Sequence, residues 1–249
     1  MNIFTTLPKL LYLIKEFNRF NKHEKEIMAA RNAGEWEEER RIIRQVSDSF
    51  CDAVNAKFRL DIEVIGGENI PDEGPVYVVS NHQSYADILM IDSALRKIEI
   101  GFIAKSEFKK TGPFAKTIFL NRSLFIDRDD PKKALATINE AADLMKKGYS
   151  FSIFPEGTRS HSSEMGEFKA GSFKPAQKAK VPILPISLEG GYHMFEEKNS
   201  FVPNVKCTVM VHPIVQYGEM SRAEQKQAAI DIEQTIRDGV AYLVSRESK

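Results

Sequence analysis

The chain has 249 residues, with 35 Lys and Arg against 35 Asp and Glu, so its formal net charge is zero and nothing in its charge argues for a nucleic-acid partner. With 42% hydrophobic and 28% charged residues, it has enough material for a packed core and a solvated surface, as one large domain or a domain with an appendage. Cys51 and Cys207 lack CxxC spacing and the histidines lack HExxH spacing; buried thiols are predicted, and no metal.

No run of about 18 apolar residues is present, and the N-terminus lacks the basic, apolar, small-residue order of a signal peptide. Instead Ile3, Leu7, Leu10, Ile14 and Phe17 recur at three- and four-residue steps, with Phe4, Leu11 and Phe20 beside the same stripe. Lys9, Lys15, Arg19, Lys22 and Lys25 flank it. This periodicity fits a helix covering a core equally with one lying in a membrane interface. A second helical segment is predicted over residues 24–58, charge-dense at 35–41, with Asn32-Ala33-Gly34 as a place to bend or break. Residues 1–60 thus read as a helical pair, and residues 61–249 as a second unit.

From residue 61 short apolar runs alternate with helical patterns. The predicted strands cover 62–65, 76–80, 101–104, 124–126, 151–154, 183–187 and 206–211. A helix is predicted from Asp130 as N-cap and Pro131 at its first position to Lys147, before Gly148. Ser221-Arg222-Ala223-Glu224 is a capping-box pattern opening a last helix toward Leu243. Such alternation predicts an α/β fold, a mostly parallel or mixed sheet flanked by helices, with functional loops at strand ends. Pro182 and Pro185 are expected to punctuate a strand, and His161, His193 and His212 to be surface or structural histidines.

Two loops carry chemistry. Directly after the run 76–80 comes Asn81-His82-Gln83-Ser84-Tyr85-Ala86-Asp87. A histidine at a strand end, with an aspartate in the first turn of the next helix, can form a dyad in which the carboxylate fixes the tautomer. No cysteine lies nearby and Ser84 is the only hydroxyl of the usual nucleophilic kind, so the dyad is suited to activating a hydroxyl of the substrate. After the run 151–154 comes Pro155-Glu156-Gly157-Thr158-Arg159-Ser160. Gly157 permits a tight turn with accessible amides, Thr158 adds a hydroxyl, and Arg159 supplies a planar fork suited to phosphate. Read singly, each loop is equally a polar turn.

Together, His-x4-Asp followed by Phe154-Pro155-Glu156-Gly157-Thr158-Arg159-Ser160 resembles the glycerolipid acyltransferase family. Ser123-Leu124-Phe125-Ile126-Asp127-Arg128 and Val181-Pro182-Ile183-Leu184-Pro185-Ile186-Ser187 fit in the same order, across roughly residues 61–215. Ser123 stands where the family often has Gly. The resemblance implies transfer of a fatty acyl group to the free hydroxyl of 1-acylglycerol 3-phosphate (lysophosphatidic acid), giving phosphatidic acid. The donor would be acyl-CoA or acyl-acyl carrier protein as co-substrate, with no bound cofactor. His82 would be the general base and Asp87 its orienting partner. Glu156, Gly157, Thr158 and Arg159 would bind the acceptor. Arg128 matches an acceptor-binding position, a structural salt bridge being the alternative. Lys105, just past the run 101–104, is a candidate phosphate contact or a solvated lysine among Lys109, Lys110 and Lys116.

Because such lipids reside in a bilayer, the resemblance tips the N-terminal pair toward membrane docking, through Ile3, Phe4, Leu7, Leu10, Leu11, Ile14, Phe17 and Phe20. The chain is then expected to be membrane-associated, monotopic or peripheral, with its active site on the cytoplasmic side. Glycerol 3-phosphate or another lysolipid as acceptor, an acyl-thioester hydrolase, and a non-catalytic lipid-binding protein are the competing readings.

Overall fold

Tyr77-Val78-Val79-Ser80 is buried at every position, which suits a strand at the centre of a sheet covered on both faces. In the computed structural model, which describes residues 3–247 and the side chains of 6–246, it is β2 of a seven-stranded sheet. The strands are β1 (Asp61–Ile65), β2 (Tyr77–Ser80), β3 (Ile100–Lys105), β4 (Leu124–Ile126), β5 (Ser150–Ile153), β6 (Ile183–Glu189) and β7 (Lys206–Val211), in the order β1-β7-β6-β2-β5-β3-β4. Every pairing is parallel except β6 with β7.

Alternation along β2 divides the core. Val76 and Val78 face one layer, with Met90 and Leu95 of α4 (Ala86–Ala94) and its end and Val54 and Phe58 of α3 (Trp36–Phe58). Tyr77 and Val79 face the other, with Ala141 and Met145 of α6 (Pro131–Met145), Ala176 of α7 (Lys174–Ala179) and Ile232 and Ile236 of α8 (Arg222–Glu247). The Asp130 carboxylate caps α6 by accepting the Lys132 and Lys133 amides, and Pro131 occupies the first turn. At α8 the Ser221 amide donates to Glu224 at 2.7 Å, as the capping-box pattern predicts.

The N-terminal region departs from the expected pair. The segment 24–58 is two helices, α2 (Glu24–Ala33) and α3, because Gly34 takes a left-handed conformation (φ +75°) that ends α2. α1 (Ile3–Asn21) packs on α3 and α5 (Pro113–Leu120). Phe17 lies 5.3 Å from Phe50 and 5.0 Å from Phe114, ring centre to centre, and Phe20 is only 3% exposed. Phe20 therefore belongs to the core, not to a membrane face, and Phe17 points inward beside it. Leu7, Leu10, Leu11 and Ile14 do face outward, at 37–56% exposure. The side chains of Ile3 and Phe4 lie outside the described residues. Among the described residues, no helix is long and apolar enough to cross a membrane.

A buried cluster fastens these helices to the sheet. Glu39 of α3 is fully buried and accepts from Arg31 (2.7 Å), Arg122 (2.8 Å) and the Tyr149 hydroxyl (2.6 Å). A carboxylate at this depth is tolerable only with such a full set of donors.

Candidate active site

β2 and β5 are parallel neighbours, Tyr77 opposite Phe151, so the loops that follow them emerge side by side at the carboxyl end of the sheet. The first brings His82; the second brings Glu156, Gly157, Thr158 and Arg159. β3, beyond β5, ends at Lys105. Strand ends of this kind are where open parallel sheets place their sites.

The predicted dyad is formed. His82 Nδ1 lies 2.8 Å from Asp87 Oδ2. The carboxylate is the acceptor, so Nδ1 carries the proton and Nε2 is the basic atom. Asp87, fully buried in the first turn of α4, also takes the amides of Gln83 at 2.7 Å and Ser84 at 2.9 Å on the same oxygen. Three donors on one oxygen hold the carboxylate in place. Among the described residues the other oxygen, Oδ1, has no hydrogen-bond partner; it lies against Gly191, where an added Cβ would come within 2.8 Å. The His82 ring stacks on Phe154 at 3.9 Å and 12°. Carboxylate and aromatic face together fix its plane.

Ser84 is no nucleophile. It is fully buried; its hydroxyl donates to Glu196 at 2.7 Å and accepts the Ala86 amide at 2.9 Å.

His82 opens on a cavity of about 420 Å³. Part of the lining is polar: Tyr85, Lys105, Arg128, Gly157, Thr158 and Arg159. The larger part is apolar: Phe17, Phe20, Phe50, Phe102, Phe108, Phe114, Ile118 and Phe154. Asp92 also lines it, and burial, with Asp48 nearby, pushes its carboxyl up to about 8. Two larger grooves, of about 890 and 900 Å³, lie at the amino ends of β3 and β5 and along the β1–β7 edge, away from the dyad.

The acceptor residues inferred from the resemblance have different fates. Arg159 is held over the Tyr85 ring at 3.6 Å and donates to Glu196 at 2.7 Å. Thr158 is exposed beside it. Among the described residues Arg128 makes no salt bridge; its guanidinium donates to the Gly157 carbonyl, and its own charge is disfavoured by burial. Lys105 is half-exposed and 3.4 Å from Glu107. Glu156 is the correction: it is 5% exposed, and its two oxygens accept the His82 amide (2.6 Å) and the Gly166 amide (2.7 Å). It therefore braces the histidine loop instead of facing an acceptor. Burial raises its pKa, and those two amides oppose the rise. The loop amides are less accessible than expected too, since Gly157 donates to Phe154 O and Ser160 to His82 O.

Sequence reasoning missed Glu196, Gly191 and Lys169. An added Cβ on Gly157, whose φ is +76°, would meet both Arg128 Nη1 and Lys169 Nζ at 2.7 Å, so two cations converge on that glycine. Lys169 belongs to no local pattern. The Gly190-Gly191 pair after β6 was the one available signal for close packing there.

The family described as Acyltransferase matches residues 61–189, and the chain belongs to that family. It is 36% identical over 141 residues to a probable 1-acyl-sn-glycerol-3-phosphate acyltransferase of Mycoplasma pneumoniae, covering 55% of this chain and 52% of that one. It is 34% identical over 160 residues to 1-acyl-sn-glycerol-3-phosphate acyltransferase alpha of Mus musculus, covering 64% and 56%. The aligned part thus spans about half the length of these curated relatives. The crystal structure of the 1-acyl-sn-glycerophosphate (LPA) acyltransferase PlsC from Thermotoga maritima is similar across 96% of this chain and 98% of that one. Its TM-score is 0.69 and its sequence identity 27%.

Proposed function

We propose that this chain transfers a fatty acyl group from an acyl thioester to the free hydroxyl of 1-acylglycerol 3-phosphate, giving phosphatidic acid. The observation that carries the reading is a His–Asp dyad opening on one cavity that is cationic in part and apolar in the rest. That combination suits a lipid with a phosphate head. A water-using hydrolase needs no cationic loop.

His82 Nε2 takes the hydroxyl proton while the hydroxyl oxygen attacks the thioester carbonyl carbon. Asp87 stabilises the imidazolium through its bond to Nδ1. The C–S bond then breaks, and the departing thiolate takes the proton back from His82. Transfer is direct: the Ser84 hydroxyl beside the dyad is committed to Glu196, and among the described residues no cysteine lines the cavity. Arg159, with Thr158, Arg128 and Lys105, holds the phosphate. Acyl-CoA or acyl-acyl carrier protein is the donor and no cofactor is bound.

The exposed Leu7, Leu10, Leu11 and Ile14, beside Lys15, Arg19 and Lys22, form the membrane-docking face of a monotopic or peripheral protein. Water-soluble thioester donors place its active site on the cytoplasmic side. Incubating the purified protein with acyl thioester and lysophosphatidic acid tests the reading, with thiol and diacyl product measured together. Equal amounts of both are expected. Thiol without diacyl product indicates a hydrolase, and neither signal indicates a lipid-binding protein; each sinks the proposal.

A further inference from the structure

Glu196 lies in the turn after β6, outside every motif, yet it touches both halves of the site. Its side chain is 2% exposed. One oxygen accepts from Arg159 Nη1 at 2.7 Å and from the Tyr85 amide at 3.1 Å. The other accepts the Ser84 hydroxyl at 2.7 Å. Ser84 in turn gives its amide to Asp87 at 2.9 Å. A continuous chain of bonds therefore runs from the Arg159 guanidinium through Glu196 and Ser84 to Asp87 and His82.

A guanidinium has five N–H donors and a long, flexible stem. Here one donor is committed to a buried carboxylate and the planar face to Tyr85, which leaves a pre-aimed remainder on the cavity wall. We propose that Glu196 is a positioning residue for the acceptor. By its reach it fixes Arg159 against Tyr85 and keeps the phosphate ligand in register with the dyad. This rests on Arg159 being the phosphate ligand. Glu196 touches no reacting atom; its charge opposes that of a phosphate, so position is its contribution.

Reach and charge are separable. Glu196→Asp keeps the charge and withdraws the carboxylate by one methylene; Glu196→Gln keeps the reach and removes the charge. Steady-state rates are measured with 1-acylglycerol 3-phosphate and with the matched 1-acylglycerol lacking phosphate. Glu196→Asp should raise KM for the phosphate acceptor about tenfold, with kcat within about threefold, because small misplacements of a positioning group are expensive. Glu196→Gln keeps an acceptor oxygen for Arg159 and the Tyr85 amide but turns an NH2 toward the Ser84 hydroxyl, so it should raise the same KM by less than Glu196→Asp does. Arg159→Ala should raise the same KM at least as much; it also leaves a buried carboxylate unpaired. Adding Glu196→Gln to Arg159→Ala should then recover Tm without recovering KM.

An unchanged KM for Glu196→Asp, an equal rise on both acceptors, or a larger loss for Gln than for Asp would overturn the assignment. If Arg159→Ala alone leaves the acceptor KM unchanged, the phosphate reading itself is wrong. If Arg159→Ala acts and Glu196→Asp does not, only the inference about Glu196 falls.

Discussion

Glu156 Oε1 accepts the backbone N–H of His82 at 2.6 Å, so the acidic residue of one motif holds the base of the other. Its second oxygen takes the Gly166 amide, so both oxygens are committed to backbone amides. Glu156→Gln can satisfy only one of the two amides and presents an NH2 to the other. We expect kcat to fall about tenfold while the acceptor KM stays within about twofold, as loss of a hydrogen bond that positions the base implies. Steady-state kinetics on purified variant and parent decide it. A raised acceptor KM with unchanged kcat would return Glu156 to the acceptor site.

Gly191 is required for its lack of a side chain. A Cβ there would stand 2.8 Å from Asp87 Oδ1 and 3.0 Å from Met90 Sδ. Gly191→Ala should push the carboxylate off His82, lowering kcat at least tenfold, and should destabilise the fold by about 1–3 kcal/mol through overpacking. Activity and urea unfolding of the variant are the measurements. Parent-like kcat would show that Asp87 has room to retreat.

Asp92 gives stability a pH dependence. Its carboxyl ionises near 3.8 when unperturbed and about 8 in the folded protein, raised by burial and by Asp48. Between those values the folded state holds the extra proton, so stability falls as pH rises through the window and levels off above about 8. Asp92→Asn removes the slope. The gain at pH 8 relative to pH 5 should be on the order of 1 kcal/mol, after discounting for water admitted by the cavity. Parallel stability curves for parent and variant at the two pH values would contradict this.

Membrane docking is tested better by surface substitution than by truncation, since removing α1 would also pull Phe17 and Phe20 from the core. Replacing Leu7, Leu10 and Leu11 together by Ser should leave stability within about 0.5 kcal/mol per site, these positions being exposed. Binding to anionic vesicles should weaken at least about tenfold. Undiminished sedimentation of the triple variant with such vesicles would place the docking face elsewhere.

The dyad was legible because its geometry is local: a base at a strand end and a carboxylate one helical turn on are joined by backbone alone. The α6 start was equally plain, since Asp130 and Pro131 act on their own helix. Glu196 was not, because it meets Ser84 across 112 residues of chain and only the packing of β6 beside β2 brings them together. The apolar stripe of α1 misled for a related reason. At 3.6 residues per turn, Phe20 stands about 140° round the axis from Leu7, so one periodic pattern covered two faces. Which face meets protein is decided by α3 and α5, far along the chain.

The most direct test of the account is the turnover of His82→Ala, followed as phosphatidic acid formed from acyl thioester and lysophosphatidic acid, with Tm measured on the same preparation. The dyad predicts a fall of roughly 10²–10⁴-fold in kcat with Tm close to that of the parent. Near-parent turnover by a folded His82→Ala protein would contradict it.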